Sequence, residues 1–484
     1  MIVNGIELVK VRDNVWEIPK TGSMKVPGRI YISEKMIEKS FEHEDSLQQV
    51  VNVAHLPGIE KYSIAMPDIH WGYGFPIGGV AATNLDHGVI SPGGVGYDIN
   101  CGVRLATTSL EYNKISHRIE SLVSKLFENI PTGVGASGAI KKLSNKEIKR
   151  ILQKGSVWAV ENDLGSPNDI EFTEEAGTLK NADSEAVSER ALERGYDQVG
   201  TLGSGNHFLE VDVVDEIYDE TTASLFGIFK GQVVVLIHTG SRGLGYQVCD
   251  DYLKVLLSAS KKYGFTLPDK QLACAPIKSQ EGQDYLSAMQ AAANFAWNNR
   301  QVIMHLAKKA FKEIFSMSES ELAFSLVYDV CHNIAKIEEH KIDDEMKKVC
   351  VHRKGATRAF PPGSNSIPVK FKSSGQPVLI PGDMGRYSYI AVGTQKAMEE
   401  TFGSSCHGAG RSLSRRKALT NAKGRDLVSE LRNKGIFIQA RGYKTIAEEM
   451  PSAYKDVSEV VEVLHNEGIT KKVARFRPVG VIKG

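Results

Sequence analysis

Short apolar runs that stop on a histidine are the most regular feature of this chain. "QVVVLIHTGSRG" is apolar from Val233 to Ile237, reaches His238 and breaks into a glycine turn. "FSLVYDVCHN" starts at Phe324 and ends at His332 in the same way, and "YSIAMPDIHWGYG" ends at His70. "TLGSGNHFLEV" is the reverse case, with His207 just ahead of an apolar run. Such runs, bounded by Gly or Asn, predict buried strands. The histidines therefore stand where strands give way to turns, the usual place for a rigid scaffold to present chemistry.

Elsewhere the period changes. From about Gly282 to Phe315, "YLSAMQAAANFAWNNRQVIMHLAKKAFKEIF" puts apolar residues at helical spacing and predicts one long helix. The stretch at about 145–195 is the most charged and least apolar, and it predicts short helices and loops in a peripheral lobe. There are no repeats or low-complexity linkers. Strands and helices mix without a regular βαβ rhythm, which predicts an α+β class.

Composition narrows this little. The 484 residues, 42% hydrophobic and 24% charged, are those of an ordinary globular protein with room for a sizeable core. No apolar run approaches the roughly 18 residues that span a bilayer. The first residues lack a basic stretch followed by an apolar one, so a cytoplasmic protein is expected. The six cysteines are scattered without a CxxC pair, which argues against a disulfide framework or a zinc ribbon. A net charge of +1 announces no nucleic acid, so RNA or DNA binding would rest on local clusters: "HRKGATR" (His352 to Arg358), "RSLSRRK" (Arg411 to Lys417) and "KKVARFR" (Lys471 to Arg477). Such runs are more often solvated faces.

Thirteen histidines are too many to be all functional. His43, His117, His340 and His465 stand in polar, helical contexts and are expected at the surface. His305 lies in the long helix, and His55 and His87 lack a telling context. His70, His207, His238, His332, His352 and His407 sit beside Gly, Asn or Arg at apparent junctions. In "SPGGVGYDINCGVRLA", Asp98 and Cys101 share a glycine-rich turn, which could be a metal site, a catalytic pair or an accident of the turn. Neutral imidazole is the commonest transition-metal ligand, and bound metal deprotonates a thiol. A thiolate can bridge two ions, so the favoured reading is a metal site of Asp98, Cys101 and three histidines, with one ion or two left open. Ligand softness favours zinc, with manganese, cobalt or iron open because of the carboxylate.

"FGSSCHGAGRSLSRR" carries His407 in a glycine-rich turn leading into a helix, which is either an anion cradle or a tight turn with a capping histidine. Beside divalent metal, such a histidine is placed to attack phosphorus. No GxxxxGK[ST] motif occurs, which disfavours ordinary ATPase chemistry.

Taken together, "SPGGVGYDINCGVR", "GTLGSGNHFLE", "HTGSRGLG", "DVCHNIAKIE", "VHRKGATRAFPPG", "HGAGRSLSR" and the terminal "VIKG" closely resemble the RtcB family, GTP-dependent RNA ligases of tRNA splicing and RNA repair. The motifs span nearly the whole chain in the family's order. The resemblance implies a single α+β domain over 1–484, with stacked mixed sheets and flanking helices around a deep metal-containing cleft. It implies two Mn²⁺ ions bridged by Cys101, one completed by Asp98 and His207 and the other by His238 and His332. His407 corresponds to the histidine that becomes guanylylated. GTP contacts carry over to Asn206, His207, Phe208, Leu209, Glu210, His332, Asn333, the turn Pro381, Gly382, Asp383 and Met384, Ser388, the turn His407, Gly408, Ala409 and Gly410, and Tyr454 and Lys483. Glu210 suits guanine, whose N1–H and amine together donate to a carboxylate, and Tyr454 could stack on the base. Asp383 stands where some relatives have serine. RNA phosphates would meet Arg242, Arg353, Lys354, Arg358, Arg411, Arg415 and Arg416. Asp68 and His70 are expected in the cleft without an assigned role.

The implied reaction joins an RNA 2′,3′-cyclic phosphate or 3′-phosphate to a 5′-hydroxyl. It passes through GMP on His407 and an RNA(3′)pp(5′)G intermediate. The implied partners are RNA ends such as tRNA halves, GTP and, as for some relatives, the activator archease; no membrane is expected. Two rivals remain: a binuclear metallo-phosphodiesterase, using the same ligands without a covalent nucleotide, and a non-catalytic RNA-binding scaffold.

Overall fold

The continuous apolar run of residues 233–237 is explained by what lies on either side of it. In a computed structural model describing residues 1–41 and 45–484, which leaves His43 outside the described residues, Gln232–Thr239 is a fully buried strand. Alternate side chains enter two different cores. Val233, Val235 and Ile237 pack with Leu209, Val211 and Leu126, whereas Val234 and Leu236 pack with Val103, Phe208 and Tyr328. A strand apolar on both faces needs no alternation in its sequence.

This strand lies inside the larger sheet, whose order among the described residues is Ser325–Cys331, Gly102–Glu111, Gln232–Thr239, Phe208–Ile217, Thr470–Lys483, Ser388–Gly393 and Pro377–Ile380. Phe437–Ala440 adds a parallel partner to Thr470–Lys483. A second sheet orders Asn333–Ile342, Glu345–Lys354, Ile77–Asn84, Ser63–His70, Gly28–Tyr31, Val15–Ile18 and Val9–Arg12, with one parallel pairing. The sheets share an apolar core: Val378, Ile380 and Ala391 of the first lie in one cluster with Ile30, Ile64 and Val80 of the second, alongside the helix Val457–Asn466. The architecture is thus α+β, with mixed sheets and flanking helices, as the sequence predicts.

Register brings chemistry to one end of the larger sheet. Phe208 faces both His238 and Lys483, His238 faces Val103, and Gly102 faces Cys331. The neighbours His207, Cys101 and His332 are therefore drawn together at the same end. His332 also marks the crossing between sheets, since Ser325–Cys331 ends before it and Asn333–Ile342 begins after it.

The predicted long helix runs Gln280–Phe315, with Ser279 Oγ accepting from Gly282 N at 3.1 Å as its cap. Its middle is not apolar all round: Asn294, Asn298, Asn299, Arg300 and Gln301 are buried. Arg300 donates to both carboxylate oxygens of Asp329 (2.9 and 2.8 Å), to Asn100 O and Oδ1 (2.7 and 2.9 Å) and to Thr239 O (2.8 Å). Arg104 shares Asp329 at 2.7 Å.

Two expectations change. The 145–195 segment forms the short helices Asn145–Lys154, Ser156–Glu161, Pro167–Glu171 and Glu189–Gly195, but it is not peripheral. Its Ile148, Ile151, Leu152, Trp158 and Leu192 pack in the core of the long helix, and Glu174 is buried against Lys336 (2.8 Å). Its charges are the outer faces of amphipathic helices. His340, expected at the surface, is buried beside Phe402 with Nε2 3.0 Å from Glu338. Among the described residues no helix is long and apolar enough to cross a membrane.

Replacing Arg300 with Met removes one of the two cations from a fully buried carboxylate. Breaking a buried ion pair from one side costs about 3–5 kcal/mol, so Arg300→Met is expected to lower the urea midpoint clearly. An unchanged midpoint would show that Arg104 alone suffices for Asp329.

Candidate active site

The turn between Ile90 and Gly102 gives Cys101 its position. Asn100 adopts a left-handed φ of 52°, its side chain is held by Ala293 O (2.7 Å) and Arg300, and Cys101 N donates to Asp98 O at 3.0 Å. His332 N donates to Cys101 O at 2.8 Å, stitching the next strand end to the turn.

Around this sulfur the structure gathers the other four predicted metal ligands. Cys101 Sγ lies 3.5 Å from His207 Nε2 and 3.2 Å from His238 Nε2. His207 Nε2 is 2.7 Å from Asp98 Oδ2, and His238 Nε2 is 3.3 Å from His332 Nε2. The donors form two triads, Asp98–Cys101–His207 and Cys101–His238–His332, each with its atoms within 4.8 Å of one another. Cys101 belongs to both. The donor set fits two cations sharing one sulfur, with three imidazoles and one carboxylate as the remaining ligands. Behind the first triad, Thr239 Oγ1 sits 3.2 Å from His207 Nδ1 and leaves Nε2 for the cation.

The electrostatics suit cation binding. Burial holds His238 and His332 well below the usual histidine range, so both are neutral with a lone pair to give. Burial, then the neighbouring Asp98 charge, pushes the Cys101 thiol well above its ordinary value. Burial acts to raise the Asp98 carboxyl too, but His207, Cys101 and Arg242 outweigh it and hold the group below its usual value.

The triads open into a cavity of about 380 Å³ that His407 also lines. The rings of His332 and His407 are 4.7 Å apart. Asp68, buried on Ser63–His70, fixes His407: its Oδ2 accepts from His407 Nδ1 (2.6 Å), His407 N (3.0 Å) and Gly408 N (3.3 Å). Nε2 is then the nitrogen of His407 left for chemistry. His70 also lines the cavity; its Nδ1 is 2.9 Å from Asp68 O, and burial lowers its pKa to about 3. The sequence signal for this pairing was only "PDIH" among strand residues, and nothing in it names a partner 339 positions away.

Of the other positions singled out in the sequence, Asn206, Phe208, Asn333, Pro381, Gly382, Asp383, Met384, Gly408, Ala409, Gly410, Tyr454 and Lys483 line the same cavity. Leu209 is in the core beneath it and is not a lining group. Glu210 is buried, within the fields of Lys483 and Asp383; burial, with Asp212 adding, raises its carboxyl well above the usual range. Ser388 supports the wall, with Oγ accepting from Gly382 N at 3.1 Å. Asp383 shapes its own turn, accepting from Gly385 N (3.0 Å) and Arg386 Nε (2.5 Å). Lys483, which alone would pass for a frayed tail, is buried at the end of Thr470–Lys483 and donates to Gly205 O at 2.9 Å.

The basic residues divide. Arg415 lines the cavity, and Arg415 and Arg416 are exposed at the start of the helix Arg415–Asn421. Arg411 lines it as well, with its donors directed to Glu449 (3.1 Å), Glu448 O (2.9 Å) and Leu413 O (3.0 Å). Arg242 lies beside the first triad, donating to Thr201 Oγ1 (3.1 Å) and Gly133 O (3.0 Å). Lys354 is buried on the cavity wall, donating to the carbonyls of Tyr73 and Gly93, and burial lowers it to about 7. Arg353 and Arg358, expected to grip RNA, are instead buried. Arg353 forks onto Glu338 (2.7 and 2.8 Å), and Arg358 pairs with Glu175 (2.6 Å) and Glu174 (3.2 Å). A guanidinium already paired and shut from water offers nothing to a phosphate backbone. His352, likewise buried, lies with Nε2 3.2 Å from Ser91 N and braces the metal turn from behind.

The family model described as tRNA-splicing ligase RtcB matches residues 49–484. The chain belongs to the RtcB family. It is 53% identical over 470 residues to a protein named tRNA-splicing ligase RtcB from Thermococcus kodakarensis, covering 97% of each chain. Proteins of the same name from Archaeoglobus fulgidus and Methanococcus maripaludis are each 52% identical, over 100% and 99% of both chains. The RtcB match thus takes in every residue of both triads, Asp68 and His407.

With its thiol held protonated, Cys101 must lose a proton to become a ligand, whereas His238 and His332 need lose none. Metal uptake is therefore expected to release protons and to tighten as pH rises. Mn²⁺ or Zn²⁺ added to metal-free protein in weak buffer with an indicator dye should show the release. Cys101→Ala should abolish it and leave the protein unable to retain two ions by elemental analysis; retention of both ions would rule out a shared sulfur.

Proposed function

We propose that this protein is a GTP-dependent RNA ligase that joins 2′,3′-cyclic phosphate or 3′-phosphate ends to 5′-hydroxyl ends, with tRNA halves and broken RNA as substrates. The observation that carries the reading is the Asp68–His407 pair beside the two triads. A histidine anchored through Nδ1 by a buried carboxylate presents Nε2 as a nucleophile, as a carboxylate orients the imidazole in a hydrolytic triad.

In this reading GTP occupies the wall formed by residues 381–384, the turn 407–410, Tyr454 and Lys483, with Glu210, buried beside Lys483, accepting from guanine only once it has given up its proton. Nε2 of His407 attacks the α-phosphorus, the bond to the β-phosphate oxygen breaks, and pyrophosphate leaves with that electron pair. Asp68 takes the hydrogen bond of Nδ1–H as charge grows on the ring. Asp98, Cys101, His207, His238 and His332 would hold two Mn²⁺ ions, which supply charge neutralisation at the phosphoryl oxygens. Water opens a cyclic end to a 3′-phosphate, which then takes GMP from His407 as RNA(3′)pp(5′)G. The 5′-hydroxyl attacks the 3′-phosphorus and GMP leaves. A bare phosphate monoester has no such leaving group, and this is why GTP is spent. Arg415 and Arg416 lie where they can meet RNA phosphate, and archease is the partner protein to add where turnover needs an activator.

Incubation with Mn²⁺ and α-labelled GTP should give an acid-labile label on the protein that His407→Ala lacks while keeping its metal. Asp68→Asn keeps an acceptor oxygen but loses the charge that steadies the ring as it becomes cationic, and buries an amide NH2 where Oδ1 has no partner, so it is expected to label about 10²- to 10⁴-fold more slowly. Opening of cyclic phosphates without any labelled protein would favour a metallo-phosphodiesterase instead.

A further inference from the structure

The cavity has a second wall that the nucleotide reading leaves unused. Tyr73, Gly96, Tyr97 and Lys354 line it. Tyr97 precedes Asp98 in the metal turn, and its ring stacks on that of Tyr246 with centroids 4.7 Å apart and planes at 25°. Tyr73 meets Tyr97 edge-on at 5.5 Å. Tyr246, on the first turns of the helix Arg242–Lys262, is 46% exposed, and the guanidinium of Arg194 lies 5.1 Å from its centroid. An aromatic surface thus runs without a break from one residue beside a metal ligand out to solvent. At its inner end Lys354 is buried on the carbonyls of Tyr73 and Gly93, and at its outer end the exposed Arg194 is the flanking cation, with one donor on Gln247 Oε1 at 3.1 Å. Asp250, whose field reaches Tyr73 and Tyr97, is paired with Lys254 at 2.8 Å.

We propose that Tyr73, Tyr97 and Tyr246 form a shelf on which an unpaired nucleobase of an incoming RNA end stacks, with Arg194 facing its phosphates. This deepens the proposed function and rests on it for the identity of the ligand. The chemistry favours a nucleobase. Stacking on aromatic rings is tolerant of sequence, because every base has a π-face, and a ligase that mends varied ends needs that tolerance. Base–aromatic stacking is worth about 5- to 150-fold in affinity per base. The shelf would order the last nucleotides so that the terminal phosphate or hydroxyl points inward to His407 and the triads.

The test uses the full chain loaded with Mn²⁺ and short RNAs carrying 2-aminopurine at the 3′-phosphate end or at the 5′-hydroxyl end. Binding to the wild type should quench the fluorophore at one of these ends, with Tyr246→Phe equal to wild type and Tyr246→Leu binding several-fold more weakly. Tyr246 lies at the surface, so the leucine variant should melt like wild type and label with GTP at the wild-type rate. An RNA with an abasic terminal nucleotide should bind wild type and Tyr246→Leu alike. Quenching at neither end, or an equal loss on normal and abasic RNA, would overturn the shelf. The binding readout needs no turnover, so failure to label His407 would count against the ligase reading alone, and failure to quench against the shelf alone.

Discussion

A single guanidinium holds the centre of this molecule together. Arg300 lies in the dry middle of the long helix and spends its donors on the carboxylate of Asp329, the Asn100 turn and the carbonyl of Thr239. These partners belong to a strand of the larger sheet, to the turn that carries Asp98 and Cys101, and to the strand end that carries His238. An unpaired charge there would cost far more than any one contact returns, so helix, turn and strand ends must arrive together. The separations of about 3 Å among the ligands around Cys101 follow from that constraint.

Much of the site was legible because strands announce themselves. A buried strand shows as an apolar run, and a histidine where the run stops is a histidine at a sheet end. His70, His207, His238 and His332 all occupy such places. The fold class and the long helix were legible for the same reason. What stayed hidden depends on partners far along the chain. "HRKGATR" looks like a basic surface until Glu338, Glu174 and Glu175 are seen to neutralise Arg353 and Arg358 inside the protein. Lys483 gains meaning only when strand Phe208–Ile217 pairs with it. Asp68 was one acidic residue among many until the turn at His407 folded onto it. Charge in a sequence does not say which charges will be buried together.

The cavity sorts its polar groups by task. Along one wall Arg411, Glu449 and Tyr454 bind one another, with the tyrosine hydroxyl donating to Glu449 and the guanidinium 5.1 Å from the tyrosine ring centroid. Such a network keeps an aromatic ring in one orientation before any ligand arrives, which reduces the ordering cost of binding. On the floor, neutral imidazoles and a protonated thiol present lone pairs without a large field of their own. Asp68 stands behind His407, where its charge can act on the ring without competing for a phosphate.

The residues of the two triads are strung between positions 98 and 332, on four separate stretches of chain. No disordered form of the polypeptide can bring them within reach of one ion, so a cation held there binds the native state and scarcely at all the unfolded one. Were the triads to hold such an ion, its supply would govern how long each molecule persists as well as what it can do. In a cell short of that metal, the protein would be opened and degraded sooner, and its abundance would follow the cation's concentration without any dedicated sensor.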